Sequence, residues 1–298
     1  VTTDPDRHIL PTNGSKEVLF NLPLAVVDRE KRPTVMVPDP AYPVYARGID
    51  AVGGKVYPVV LEESLGFLPN LDKIPSEVWS ETSILWVNYP NNPTGATAPS
   101  SFFEEAVSLC REHGVLLASD EAYTEIYFKE PPLSALQFGL ENVIALHTLS
   151  KRSAMPGYRS GFIAGDPRLM DALKRFRPAV GVATPDFVQA GAIRAWSDES
   201  HVQAIRRRFE ERRELMIPAL TEMGYEVTPC PATIYLWIKV PTGVSADDFM
   251  LQAMEEGLVI LPGTAMGPGG EGFFRLSLTY GPDRLQDSLP RLKRLISS

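Results

Sequence analysis

The segment Thr148-Leu149-Ser150-Lys151-Arg152-Ser153-Ala154-Met155-Pro156-Gly157-Tyr158-Arg159-Ser160-Gly161 follows directly on the apolar run Val143-Ile144-Ala145-Leu146 and His147. A short continuous apolar run predicts a strand buried on both faces, as in parallel sheets. Such a strand delivers His147, Thr148 and Lys151 to its carboxyl end. A lysine among small residues there is oddly placed for a solvated charge. Lysine amines attack carbonyls once desolvation or a nearby cation lowers their pKa from about 10.4. Arg159, eight residues on, supplies such a cation if a phosphate sits beside it. Against this stands the commoner reading, that both are ordinary surface charges beside a loop.

Working outward, residues 35–37, 84–87, 115–118 and 162–164 also read as strands, and residues 102–113, 168–176 and 187–196 as helices. This alternation predicts an α/β fold over residues 1–200, a mainly parallel sheet sandwiched by helices. A long charged helix over about residues 200–223, with apolar Val202, Ile205, Phe209, Leu215 and Met216, leads out of it. The alternating Ile234-Tyr235-Leu236-Trp237-Ile238, a helix over 247–256 and a strand over 273–278 then predict a smaller α+β domain at 201–298. A length of 298 residues suits that division, and 44% apolar residues suffice for its cores.

The net charge of −8 argues against a nucleic-acid surface. No run approaches the roughly 20 apolar residues of a membrane span, and the polar start Val1-Thr2-Thr3-Asp4 is no signal peptide. Cys110 and Cys230 stand far apart without metal-ligand spacing. They predict buried free thiols in a reducing, cytoplasmic compartment, and no metal centre.

In open α/β sheets ligands bind beyond the carboxyl ends of the strands, and the distinctive residues fall there. Asn13-Gly14-Ser15-Lys16-Glu17 precedes a helical run beginning near Val18. Glycine admits close backbone approach and a helix start favours a phosphate, although a plain glycine loop with Ser15 as N-cap is the commoner use. Asp39-Pro40-Ala41-Tyr42 follows the strand at 35–37, where Tyr42 can stack on a heteroaromatic ring or simply pack. Asn88-Tyr89-Pro90-Asn91-Asn92-Pro93-Thr94-Gly95 fixes a rigid loop that points the Asn92 amide at a ligand oxygen. Asp120 ends the strand at 115–118, where a carboxylate is costly unless paired; a pyridinium N–H⁺ satisfies it, and a helix N-cap is the alternative. Arg275, inside a strand-like run, seeks a carboxylate, either a structural acid such as Glu271 or a substrate.

Taken in order, Asn-Gly-Ser-Lys, Pro-x-Tyr, Asn-x-Pro-x-Asn-Pro-Thr-Gly, Asp-x-x-Tyr, Ser-Lys, Arg and Arg-Leu-Ser resemble the class I/II aminotransferases of pyridoxal-phosphate (PLP) fold type I along essentially the whole chain. The resemblance implies that Lys151 holds the cofactor covalently and moves the proton at the substrate Cα. It implies that Asp120 pairs with the pyridine nitrogen, Asn92 and Tyr123 with the ring hydroxyl oxygen, and Tyr42 with the ring face. Gly14, Ser15, Lys16, Thr148, Ser150 and Arg159 would surround the phosphate, and Arg275 would hold the substrate α-carboxylate. It further implies amino-acid and 2-oxo-acid substrates and a homodimer.

Within the family, the strings Ile9-Leu10-Pro11-Thr12-Asn13-Gly14, Asp120-Glu121-Ala122-Tyr123-Thr124-Glu125-Ile126-Tyr127-Phe128 and Ala195-Trp196-Ser197-Asp198-Glu199 look most like the succinyldiaminopimelate aminotransferases of lysine biosynthesis. One departure is plain: family members carry a further N-terminal segment before the glycine-loop helix, and the sequence as given begins close to Ile9-Leu10. Two rival readings keep the same motifs. One is a PLP-dependent C–S lyase; the other is a sensor domain, which needs an upstream helix-turn-helix.

Overall fold

The computed structural model describes residues 2–297. The chain runs α1 (Pro5–His8), β1 (Ile9–Thr12), α2 (Ser15–Val26), β2 (Thr34–Asp39), α3 (Val44–Val52), β3 (Lys55–Glu62) and β4 (Leu68–Pro69). It continues through α4 (Ser76–Glu81), β5 (Thr82–Asn88), α5 (Ser100–His113), β6 (Leu116–Asp120), β7 (Val143–Thr148), α6 (Leu149–Arg152) and β8 (Gly161–Gly165). Then come α7 (Pro167–Phe176), α8 (Asp186–Trp196), α9 (Ser200–Glu222), β9 (Tyr235–Lys239), α10 (Ala246–Glu255), β10 (Leu261–Pro262), β11 (Phe273–Ser277) and α11 (Pro282–Ser297).

Eight strands form one sheet in the order β1-β8-β7-β6-β5-β2-β3-β4. Strands β3, β2, β5, β6 and β7 pair in parallel, while β8, β1 and β4 are added antiparallel. Every residue of β2 and β5 is buried, as their unbroken apolar runs predict. Alternate residues feed two cores. Met36, Leu85, Val87, Leu117 and Val143 pack with Phe102 and Phe103 of α5 on one face. Val35, Val37, Ile84, Trp86, Ala118, Ile144 and Leu146 pack with α2, α3 and α7 on the other.

Local chemistry ends the helices where the sheet needs them to end. Gly114 takes a left-handed φ of 63° after α5, and Val115 N–H then reaches the Cys110 carbonyl at 2.8 Å before β6 begins. Pro23 lies inside α2 and cannot donate to the Leu19 carbonyl. Gly48 of α3 packs against that turn: a Cβ there would stand 2.6 Å from the Phe20 oxygen and 3.0 Å from the Leu19 oxygen.

A second sheet, β10-β11-β9, is antiparallel. Leu236, Ile238, Phe274 and Leu276 face α9, α10 and α11 in a third core, and each such burial contributes roughly 1.5–3 kcal/mol. The alternating residues Tyr235, Trp237, Phe273 and Arg275 take the opposite face. There Trp237 joins the core of the eight-stranded sheet and stacks on Phe273, with ring centroids 5.2 Å apart and planes at 10°. Among the described residues no helix is long and apolar enough to cross a membrane.

Candidate active site

Parallel register sets Asn88 beside Asp120 at the carboxyl ends of β5 and β6, and β7 ends next to them at Thr148. These ends open into a cleft of about 260 Å³. Ser15, Lys16, Tyr42, Asn92, Asp120 and Tyr123 line it, together with Thr148, Ser150, Lys151, Arg159 and Arg275. Gly14 lies directly behind, so the structure brings every residue singled out from the sequence to one place.

One end of the cleft is built for an anion. The twelve-residue helix α2 starts at Ser15, so the N–H groups of its first turn lack helical acceptors. Thr148 caps α6 by accepting from Ser150 N, and its hydroxyl donates to Ser150 Oγ at 3.1 Å. Arg159 donates from Nη1 to Ser150 Oγ at 3.4 Å and from Nη2 to the Asn13 carbonyl at 3.0 Å. Gly14 makes this approach possible: its φ is 77°, and a Cβ would stand 2.8 Å from Arg159 Nη2. The Lys16 amine stands 5.5 Å over the ring of Tyr42.

Asp120 and Glu121 are adjacent acids with different environments, because successive strand residues face opposite sides. Glu121 accepts from Ser119 Oγ at 3.0 Å, Ser134 Oγ at 3.1 Å and Ala135 N at 2.9 Å, while its second oxygen lies 3.2 Å from His147 Nε2. Asp120 accepts from the buried Tyr45 hydroxyl at 2.8 Å and from Ala122 N at 3.2 Å, and it reaches the cleft. Burial pushes its carboxyl up from the ordinary 3.8 to about 6, against the pull of those two hydrogen bonds. A buried carboxylate in this state is stabilised by a cation at its open side.

Lys151 sits on α6 with its amine 5.5 Å from the centre of the Tyr123 ring, and among the described residues it has no carboxylate partner. Arg275 donates from Nη1 to Asn92 Oδ1 at 2.7 Å, while its Nε is buried without a partner. The structural acid offered as an alternative is engaged elsewhere, since Glu271 accepts from Ala246 N at 2.9 Å and Gly272 N at 3.0 Å. With its oxygen facing Arg275, Asn92 keeps its amide N–H₂ for another acceptor. Asn88 holds this loop by donating to the Asp120 carbonyl at 2.8 Å and accepting from Asn92 N at 2.9 Å.

Three side chains of the site went unassigned in the sequence. Asn88 stands in a quoted motif and Tyr45 three residues past one, but their contacts are tertiary. Tyr235 also lines the cleft, and only the alternation of β9 hints at it. Burial works to raise its phenol, but Lys151, Arg275 and a hydrogen bond from Tyr123 bring it below the ordinary value.

The family model described as aminotransferase class I and II matches residues 1–289. An LL-diaminopimelate aminotransferase of Desulforudis audaxviator (strain MP104C) is 40% identical over 298 residues, covering 98% of this chain and 76% of that one. Among solved structures, a probable N-succinyldiaminopimelate aminotransferase from Thermus thermophilus superposes with a TM-score of 0.93 at 32% identity, covering 99% of this chain and 80% of that one. An aspartate aminotransferase from Thermotoga maritima gives 0.91 at 26%, covering 99% and 77%. Enzymes of this class use pyridoxal phosphate. The cleft fits it, with a glycine-backed anion cradle at one end, a buried carboxylate for a protonated ring nitrogen and an amine without a carboxylate partner. The chain is therefore a member of the class I and II aminotransferases.

Proposed function

We propose that this chain moves an amino group between glutamate or 2-oxoglutarate and an amino or keto acid of the diaminopimelate type. The observation that carries the reading is the buried, unpartnered Nε of Arg275 in the same cleft as the Lys151 amine. A side-on guanidinium edge takes a carboxylate bidentately. Pyridoxal phosphate, when bound, accepts the amino group and the electron pair of the broken Cα–H bond.

The side chains divide the rest of the work. Ser15, Thr148, Ser150 and Arg159, with the backbone at Gly14 and Lys16, bind the phosphate. Asp120 holds the proton on the ring nitrogen. Asn92 and Tyr123 donate to the ring hydroxyl oxygen, and Tyr42 covers the ring. Lys151 carries the cofactor and moves the proton at the substrate Cα. Arg275 orients the substrate by its α-carboxylate. Lys16 is then the remaining cation of the lining, and it suits a substrate with a second carboxylate.

The far end of the substrate is the finer question. The sequence expectation named the N-succinylated acid. The relative at 40% identity is an LL-diaminopimelate aminotransferase, whereas the structure named for the succinylated substrate is 32% identical. This favours the free LL-diaminopimelate. Steady-state assays with 2-oxoglutarate test it: LL-diaminopimelate should exceed its N-succinyl form, aspartate and alanine in kcat/KM by about ten-fold or more, a margin of about 1.4 kcal/mol. If aspartate or alanine is turned over as well, the substrate assignment fails and only the family reaction remains.

We also propose a homodimer. Phe187 and Ile193 of α8 are 77% and 70% exposed, and Tyr158, in the segment that leads to Arg159, is 50% exposed. Large apolar side chains left this exposed along one helix and beside it support an interface there. Sedimentation velocity at micromolar concentration should give the mass of two chains; a monomer there removes the dimer from the reading.

A further inference from the structure

Only two residues of the cleft come from the three-stranded sheet, Arg275 and Tyr235. Arg275 pairs directly with Trp237 and Tyr235 with Ser277, so Tyr235 is the diagonal neighbour of Arg275 on the same face. A ring spans that diagonal. The guanidinium carbon lies 3.9 Å from the Tyr235 ring centroid, in stacking contact. Among the described residues Arg275 is otherwise tied only at Nη1, by the bond to Asn92. A guanidinium held at one nitrogen can pivot about that bond, and pivoting spoils the planar fork on which a bidentate grip depends. A ring against its face removes that freedom. At its other end, the Tyr235 hydroxyl accepts a long hydrogen bond from Tyr123 at 3.5 Å.

We propose that Tyr235 is a positioning residue, whose ring holds Arg275 with its unpartnered Nε edge reserved for a substrate carboxylate. A leucine at 235 keeps an apolar side chain and loses the flat face; a phenylalanine keeps the face and loses only the hydroxyl. Because this rests on Arg275 as the carboxylate grip, Arg275→Leu is measured in parallel. The probes are succinate, an unreactive dicarboxylate, titrated calorimetrically into the resting cofactor-loaded enzyme, and the KM values of glutamate and 2-oxoglutarate.

Tyr235→Leu should weaken succinate and raise both KM values about ten-fold, the scale of a desolvated cation–π contact, with kcat falling less than KM rises. Tyr235→Phe should stay within about two-fold of wild type for both probes, a rescue that a merely structural defect would not give. If Tyr235→Leu binds succinate normally while Arg275→Leu does not, Tyr235 positions nothing and the carboxylate grip stands. If Arg275→Leu also binds normally, both fall. If Tyr235→Phe is as weak as Tyr235→Leu, the ring is not the clamp. Should Tyr235→Leu fail to fold, Tyr235→His keeps a flat ring and must retain succinate binding for the clamp to stand.

Discussion

Lys151→Ala should take up pyridoxal phosphate and hold none of it covalently, with transamination reduced about 10⁴-fold or more. The loss is chemical and not structural, because α6 is fixed by its other residues. Thr148 caps it, and Leu149 is fully buried. Arg152 donates to the Ala195 carbonyl at 2.8 Å, pairs with Glu199 and stacks on Trp196 at 4.8 Å. Removing the Lys151 amine therefore leaves the cradle at Ser150 and Arg159 intact and takes away the group proposed to move the proton at Cα. Borohydride treatment followed by peptide mass analysis checks the first half, and single-turnover absorbance the second. A borohydride-fixed label that survives in Lys151→Ala means another amine carries the cofactor.

Asp120→Asn should show two opposite effects. In the loaded enzyme, turnover falls on the order of 10²–10³-fold, the scale for losing one preorganised electrostatic partner. An amide cannot hold the ring nitrogen protonated, so the electron pair from Cα loses its sink. In the cofactor-free protein, stability moves the other way. The Asp120 carboxyl rises from 3.8 to about 6 on folding because of burial, so the native state binds the extra proton between those values. Wild-type stability from this group is present below about pH 4 and is lost as pH rises through about 6; Asn has no such loss. Cofactor-free Asp120→Asn should therefore gain on wild type by roughly 3 kcal/mol between about pH 4 and pH 7.5. Urea unfolding at the two pH values measures it. A stability difference that does not change with pH, or near-native turnover, would remove Asp120 from its role.

Much of this site was legible because the residues that carry chemistry interrupt buried strands at their ends. An uninterrupted apolar run such as 84–87 or 143–146 reads as a strand buried on both faces, and Asn88 and Thr148, at the carboxyl ends of those strands, line the cleft. Strand β3, next to the short edge strand β4, escaped notice for a different reason. Pro58 interrupts it, and only Val59 and Leu61 of its eight residues are buried, so its short apolar run Val59-Val60-Leu61 does not stand out. Helix α3 follows Tyr42 too closely to stand out from the turn. Tyr45 meets Asp120 across 75 residues of sequence, and no local pattern encodes that bond. The adjacent pair Asp120-Glu121 offers two acids, and only their opposite faces separate the one satisfied by Ser119 and Ser134 from the one that reaches the cleft. The antiparallel entry of β8 and β1 was likewise invisible, since strand direction depends on where the chain returns and not on composition.

Trp237 is wholly buried in the core of the eight-stranded sheet, yet it is also the cross-strand partner of Arg275. Its indole packs into that core and on Phe273, and its backbone is in register with the arginine that lines the cleft. Interior packing and the placing of a cleft arginine are thus written into one residue. In a lineage drifting under selection, a smaller residue at 237, or a change at its stacking partner Phe273, alters the reach of Arg275 before any residue of the cleft mutates. Changes in the cleft of such a scaffold can begin in the hydrophobic core, and a survey restricted to residues that line the cleft would overlook where they started.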